Sequence, residues 1–127
     1  MSIPESIKIN KRRDAISLKY ADSDAVDISA ELLRVMSPSA EVRGHKSNEA
    51  KLQIGKRNVV IKGIQKTGNY ALRINFDDGH DSGLYSWDYL YDLAINQAIY
   101  WSHYLKSLHK AGQSRDPETR VIKMFDP

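Results

Sequence analysis

The sequence predicts an α+β domain: a small antiparallel or mixed sheet of two hairpins, with one short helix and one long C-terminal helix packed on it. Three observations predict it. Residues 6–20 and 70–76 alternate apolar and polar side chains, the period of strands with one buried side, and residues 57–65 carry the apolar residues of a further strand. Residues 87–110 repeat apolar side chains every three or four positions, one face of a helix. Between them lies FDDGHDSGLYSW (76–87), the densest run of turn-forming and acidic residues.

In SIKINKRR (6–13), Ile7 and Ile9 share a face; in AISLKY (15–20), Ile16, Leu18 and Tyr20 do. Arg13-Asp14 is a tight connection between these two strands, and residues 20–24 form a polar turn. Ser29 is placed to cap a short helix reaching about Met36. Its hydroxyl can accept from an early helical amide, and Glu31 complements the positive end of the helix dipole. Ile28, Leu32, Val35 and Met36 supply an apolar side, Arg34 suits the last turn, and Pro38 stops the helix. From Ser37 to Gly55 the periodicity dissolves, so an ordered loop is expected, with one short strand at 40–42.

Residues 57–65 form the next expected strand, carrying Val59, Val60, Ile61 and Ile64, with a bulge at Gly63. Lys66 to Asn69 turns the chain. Tyr70, Leu72, Ile74 and Phe76 then alternate with Ala71, Arg73 and Asn75, and this strand pairs with the preceding one as an antiparallel hairpin. Asp77-Asp78-Gly79 ends it. The long helix buries Trp87, Leu90, Ala94, Ala98, Trp101, Leu105 and Leu108. Ser86 is its cap, Tyr85 and Leu90 have the spacing of a hydrophobic staple, and Gly112 ends it. At ~1.5 Å per residue the rod is about 35 Å long. That is long for so small a domain, so Tyr100 and Tyr104 either flank the core or meet another chain, a second copy included. The ordered core is expected at about 6–112. The tail, 113–127, frays or docks through Val121, Ile122, Met124 and Phe125.

A chain of 127 residues fits one domain with its own core. With no cysteine, disulfides, thiolate metal sites and cysteine nucleophiles are excluded. No apolar run reaches the ~18–20 residues of a membrane span. The first residues lack a basic flank followed by an apolar core, so no secretory signal is expected and a cytoplasmic setting is. The net charge of +3 is too small to imply nucleic acid, but its distribution is uneven. Residues 43–73 hold eight basic and one acidic residue; residues 77–92 hold five acidic residues and no lysine or arginine. Charge runs of this kind are ordinarily solvated faces.

His80 stands among Asp77, Asp78, Asp81 and Asp88, a combination that metal sites use. The spacing of a calcium loop is absent. A second histidine has no convincing place, since His103 is mid-helix and His45 is in the long loop. The plainer reading is a polar turn whose aspartates accept backbone hydrogen bonds. No serine stands in a Gly-x-Ser-x-Gly elbow, and neither Gly-containing turn matches a phosphate or dinucleotide loop. Gly68 to Phe76 places aromatics beside basic residues on a strand, as RNA-binding sheets do, but Tyr70 and Phe76 are same-face residues that a core would take.

Three stretches carry a family resemblance: ISAELLRVMSPSAEVRGH (28–45), GNYALRINFDDGHDSGLYSWDYL (68–90) and WSHYLKSLHKAGQSRDP (101–117). They resemble the N-terminal-domain family of gamma-butyrobetaine hydroxylase, which includes stand-alone bacterial proteins of unknown function. In the hydroxylases the module precedes the catalytic domain and holds a structural zinc ion through three cysteines and one histidine. The resemblance places that histidine at His80, within Asp78-Gly79-His80. Counting from the Leu33-Arg34 pair, it places the cysteines at Ser37, Ser39 and Val42, where no thiolate exists. The iron and 2-oxoglutarate machinery belongs to the absent catalytic domain. The module is also similar to a segment fused to Mrp-type ATPases that handle iron–sulfur clusters. Together these imply a non-enzymatic accessory or protein-interaction module without a cofactor, linked to iron or iron–sulfur metabolism. Its partner is an unidentified protein, with an iron–sulfur-related ATPase as one candidate. The expected surface comprises Arg34, Ser37, Ser39, His45, Asp77, Asp78 and Asp81. The alternatives are an iron- or zinc-binding protein using His80 and nearby carboxylates, or an enzyme acting on a small substrate.

Overall fold

A computed structural model describes residues 3–43 and 51–117. Three strands, β1 (Ser6–Ile9), β2 (Ala15–Lys19) and β3 (Val26–Ser29), form an antiparallel sheet in the order β1-β2-β3. Their alternation buries Ile16, Leu18 and Ile28 completely. The β1–β2 turn is held by Asn10, whose side-chain oxygen accepts from the backbone N–H groups of Asp14 (3.0 Å) and Ala15 (3.2 Å). At its tip Arg13 takes a positive φ of 62°. There its carbonyl accepts from Ile61 N–H and its Nε donates to Ile61 O, each at 2.7 Å.

Those bonds reach the edge of a second antiparallel sheet, β4 (Ile61–Thr67), β5 (Ala71–Phe76) and β6 (Leu84–Ser86), in that order. The register shifts between Ile61 and Gly63, the bulge that the glycine predicted. The α+β class holds, with two corrections. The hairpins belong to two sheets rather than one, and each gains a third strand of three or four residues. Strands that short carry too few alternations to register as a period. The second hairpin is also shifted along the chain. It starts at Ile61, and Tyr70 sits in the turn, 59 % exposed, rather than in the core.

Ser29 caps α1 (Ala30–Val35) as expected, accepting from Leu32 N–H at 3.0 Å. Residues 40–43 are a helical turn, α2 (Ala40–Arg43), where a strand was expected. Ser39 O accepts from both Val42 N–H and Arg43 N–H, which closes the turn before an extended conformation can form.

The long helix is two helices, α3 (Trp87–Ile95) and α4 (Gln97–Ala111), broken at Asn96. Asn96 donates from Nδ2 to Asp92 Oδ1 at 2.7 Å. Its φ of −113° leaves the helical range. The break moves the core stripe. Leu93, Tyr104 and Leu108 are buried and Trp101 half-buried, while Ala98 and Leu105 are exposed. Both predicted boundary devices hold: Ser86 accepts from Tyr89 N–H at 3.2 Å, and Gly112 closes α4 in the left-handed region.

One apolar cluster joins both sheets to α1, α3 and α4. No described helix is long and apolar enough to cross a membrane. The described part of the tail docks. Ser114 O and Arg115 O accept from Gly55 N–H and Arg57 N–H, both at 3.0 Å. Arg115 makes two bonds to the buried Glu31 carboxylate, at 2.8 and 2.7 Å, and lies 4.7 Å from the centroid of the Trp101 ring. The apolar cluster expected at 121–125 lies outside the described residues.

Arg115→Gln should lower stability by about 1–3 kcal/mol. It leaves a buried carboxylate with a neutral partner, and the arginine's own partial exposure tempers the loss. Urea unfolding of the two chains measures it, with Arg115→Lys expected between them.

Candidate functional site

The site forms where the connection from β5 to β6 (77–83) crosses the exit of α1. Pro38 forbids continuation of α1, so Ser37 to Ser39 fold across its end before α2 begins. The opposing turn is shaped by Gly79 at φ 89°, with Phe76 N–H donating to His80 O at 3.0 Å. The His80 ring is thereby directed inward and is buried.

Its Nε2 lies 2.8 Å from Ser37 Oγ and 3.3 Å from Ser39 Oγ. Its Nδ1 lies 3.4 Å from Glu41 Oε2. This pattern fits a neutral imidazole with its proton on Nδ1, facing the carboxylate, and Nε2 accepting from a serine hydroxyl. Ser37 Oγ also receives Ser39 N–H at 3.3 Å. Burial pushes the His80 pKa down, assisted by the positive charges of Arg34 and Lys56, while Glu41 and Asp78 oppose the shift.

Asp78 anchors the same turn. Its Oδ1 accepts from His80 N–H at 3.1 Å, and its Oδ2 meets Arg34 Nε at 2.8 Å and Lys56 Nζ at 2.7 Å. Burial alone would raise its pKa; bonds from Lys56, the His80 amide and Arg34 outweigh that and hold it at about 2. The fully buried Tyr85 donates its hydroxyl to Leu33 O.

Ser37, His80 and Glu41 have the order of a nucleophile, a base and an orienting carboxylate. Yet Ser37 is 0 % exposed. A Cβ added to Gly83 would come within 2.5 Å of Ser37 Oγ and within 3.4 Å of both Pro38 Cδ and a Tyr85 ring carbon. The hydroxyl is walled in, with no room for an acyl group in this conformation.

Of the sequence-predicted residues, Arg34, Ser37, Ser39, Asp78 and His80 converge. Two aspartates are engaged elsewhere. Asp77 Oδ1 accepts from Val60 N–H at 3.0 Å, and Asp81 pairs with Arg73 at 3.5 Å. His45 lies outside the described residues. Glu41, Lys56 and Gly83 complete the site and had no motif to mark them; only the glycine's place in a tight turn hinted at a close approach.

These features define a small α+β domain whose β5–β6 connection seats a buried histidine against the exit of its first helix. The chain belongs to the family described as Gamma-butyrobetaine hydroxylase-like, N-terminal, whose profile matches residues 7–91. Two proteins with solution structures determined by NMR are similar over nearly the whole chain. One is 49% identical with a TM-score of 0.81, covering 98% of each chain. The other is 40% identical with a TM-score of 0.77, covering 100% of this chain and 95% of its own. A crystal structure of a protein of unknown function from Acidithiobacillus ferrooxidans ATCC 23270, of the DUF971 family, is 27% identical with a TM-score of 0.59. It covers 72% of this chain and 91% of its own. No curated protein matches the chain.

The zinc ion that the family resemblance implies does not fit these residues. Beside His80 stand two neutral hydroxyls, and Val42 offers no donor at all. Among the described residues no group of three or more histidine, aspartate or glutamate side chains could hold a metal ion.

Two outcomes follow. The His80 pKa is lowered from 6.5, so the unfolded chain binds the extra proton first. Stability should be complete above about pH 6.5 and fall as the pH drops below it. The Asp78 contribution is complete above its unfolded value of 3.8 and is lost as the pH falls from there through about 2. Urea midpoints from pH 7.5 to 5 measure the effect, and His80→Gln should flatten the slope. Separately, the triple variant Ser37→Cys, Ser39→Cys, Val42→Cys should bind one zinc ion per chain by calorimetry. The unaltered chain should not.

Proposed function

We propose that this chain is a non-enzymatic protein-interaction module, and that it meets its partner through the outer face of α4. The observation that carries the reading is a pair of exposed isoleucines on either side of the Asn96 break, Ile95 (60 % exposed) ending α3 and Ile99 (56 % exposed) in the first turn of α4. Two large aliphatic side chains left in water this close in the chain place apolar surface at the α3–α4 junction. No acidic residue occurs from 93 to 115, while Lys106 and Lys110 lie further along α4. The complementary partner is a polypeptide with an apolar surface flanked by carboxylates.

The region around His80 supports an architectural role instead. Its serines, histidine, arginine and aspartate are engaged with one another, and the walled-in Ser37 disfavours catalysis. A cytosolic setting, suggested by the absence of cysteine, belongs to the same proposal. An ATPase that handles iron–sulfur clusters is the first partner to try, because the resemblance extends to segments fused to such enzymes.

Ile99→Asp should abolish capture of a specific cytosolic protein that the unaltered chain retains, while changing stability by less than about 0.5 kcal/mol. Purified partner and sedimentation would then measure the binding directly. Retention by the variant would refute the α4 surface. Failure of the unaltered chain to retain any protein would refute the interaction reading.

A further inference from the structure

A second feature of α4 points to a small ligand. Between its flank, the exit of α1 and residues 51–53 lies a cleft of about 340 Å³. Val35, Met36, Leu52 and the rings of Tyr100 and Tyr104 make its lining largely apolar. Arg43, Lys51 and His103 line the same space, and no carboxylate does among the described residues. An apolar enclosure with a few convergent polar groups is the usual form of a small-molecule site, and this volume is at the small end of that range.

The hydrogen bonding of the lining residues says which of them remain available. Tyr104 donates its hydroxyl to Gln53 O at 2.7 Å, and Tyr100 donates to Asp92. Both rings are thus fixed in place and offer the cleft apolar surface. Arg43 is held by its Nη2, which reaches Tyr89 Oη at 3.1 Å and Met36 Sδ at 3.3 Å. A guanidinium has five N–H donors in a planar fork, and among the described residues those of Nε and Nη1 have no partner. The anchored arginine is oriented ahead of binding, so little side-chain freedom is lost when an anion arrives.

We infer that this cleft binds a small organic monocarboxylate, with its single ring or short alkyl chain against the apolar lining and its carboxylate on Arg43, assisted by Lys51. The cleft is small, and a single ring or short chain suffices to cover its apolar lining. An inorganic anion could meet Arg43 and Lys51 but would gain nothing from the apolar lining, which a ring or alkyl chain covers. Neither Ile95 nor Ile99 lines the cleft, so it stands or falls apart from the interaction reading.

The test is an NMR titration of the full isotope-labelled chain with benzoate and hexanoate, alongside hexanol, hexylamine and inorganic phosphate. Saturable shifts are expected for the two carboxylates at Leu52, Tyr100, His103 and Tyr104. Binding of hexanol, hexylamine or phosphate should be at least about tenfold weaker. Arg43→Gln should weaken hexanoate binding about tenfold or more, the scale of a charge-assisted hydrogen bond. Lys51→Gln, a surface change away from the core, should weaken it by a smaller factor and serves if Arg43→Gln does not fold. The inference is overturned if neither carboxylate gives saturable shifts at the cleft. It is equally overturned if hexylamine or phosphate binds as well as hexanoate, or if the folded variants all bind it unchanged.

Discussion

The buried His80 imidazole must have hydrogen-bond partners, and much of the local structure follows from that constraint. Imidazole nitrogens removed from water without partners would cost more than their packing returns. Here Nε2 finds Ser37 and Ser39, and Nδ1 faces Glu41. Those three residues lie on the chain leaving α1, whereas His80 comes from the connection after β5. Satisfying one ring therefore ties the second sheet to the first helix. Asp78 reinforces the tie by bonding the His80 amide on one side and Arg34 and Lys56 on the other. The approach is close enough that position 83 has no space for a side chain: an added Cβ would lie 2.5 Å from Ser37 Oγ.

A second polar tie acts at the other end of α1. Glu31 is buried, so its charge needs a partner, and Arg115 arrives from beyond α4 to supply both bonds. The guanidinium stacks on Trp101 on the way, which shields the pair from water. The short first helix is thus clamped by Arg34 to the β5–β6 connection and by Glu31 to the tail. Neither contact is local in sequence. Polar pairs of this kind add geometric selectivity to burial that is itself non-directional.

The legible part of the fold was the part governed by local periodicity. Ile16 and Leu18, Leu72 to Phe76, and the caps Ser29, Ser86 and Gly112 follow from strand alternation and helix-end chemistry, and each falls where expected. The unread parts have local causes that periodicity does not encode. Asn96 leaves the helical range and breaks the long helix, which a stripe of hydrophobic spacing passes over. β3 and β6 are too short to alternate visibly. The turn at 40–43 competes with a strand only once Ser39 O is in place to accept two amides. In the site, Ser37, Ser39 and His80 were reached through the resemblance and do converge. Glu41 and Lys56 could not be reached, because facing an imidazole or a carboxylate across forty or twenty residues leaves no trace in spacing.

The chemistry of this cluster differs in kind from a zinc centre, and the difference explains the density of contacts around it. A structural zinc ion contributes folding energy through a few strong, geometrically demanding bonds to thiolates and imidazole. Neutral hydrogen bonds contribute about 0.5–1.5 kcal/mol each and constrain geometry less. With hydroxyls in place of the thiolates that the family resemblance implies, the junction is held by many weaker groups acting together. That is what surrounds His80: two serines, the double cation on Asp78, the Tyr85 hydroxyl on Leu33 O and the missing side chain at Gly83. The exchange also alters how the junction responds to its surroundings. A thiolate centre is sensitive to chelators and oxidants. The hydroxyl cluster is indifferent to both, and its remaining sensitivity lies in the protonation of His80.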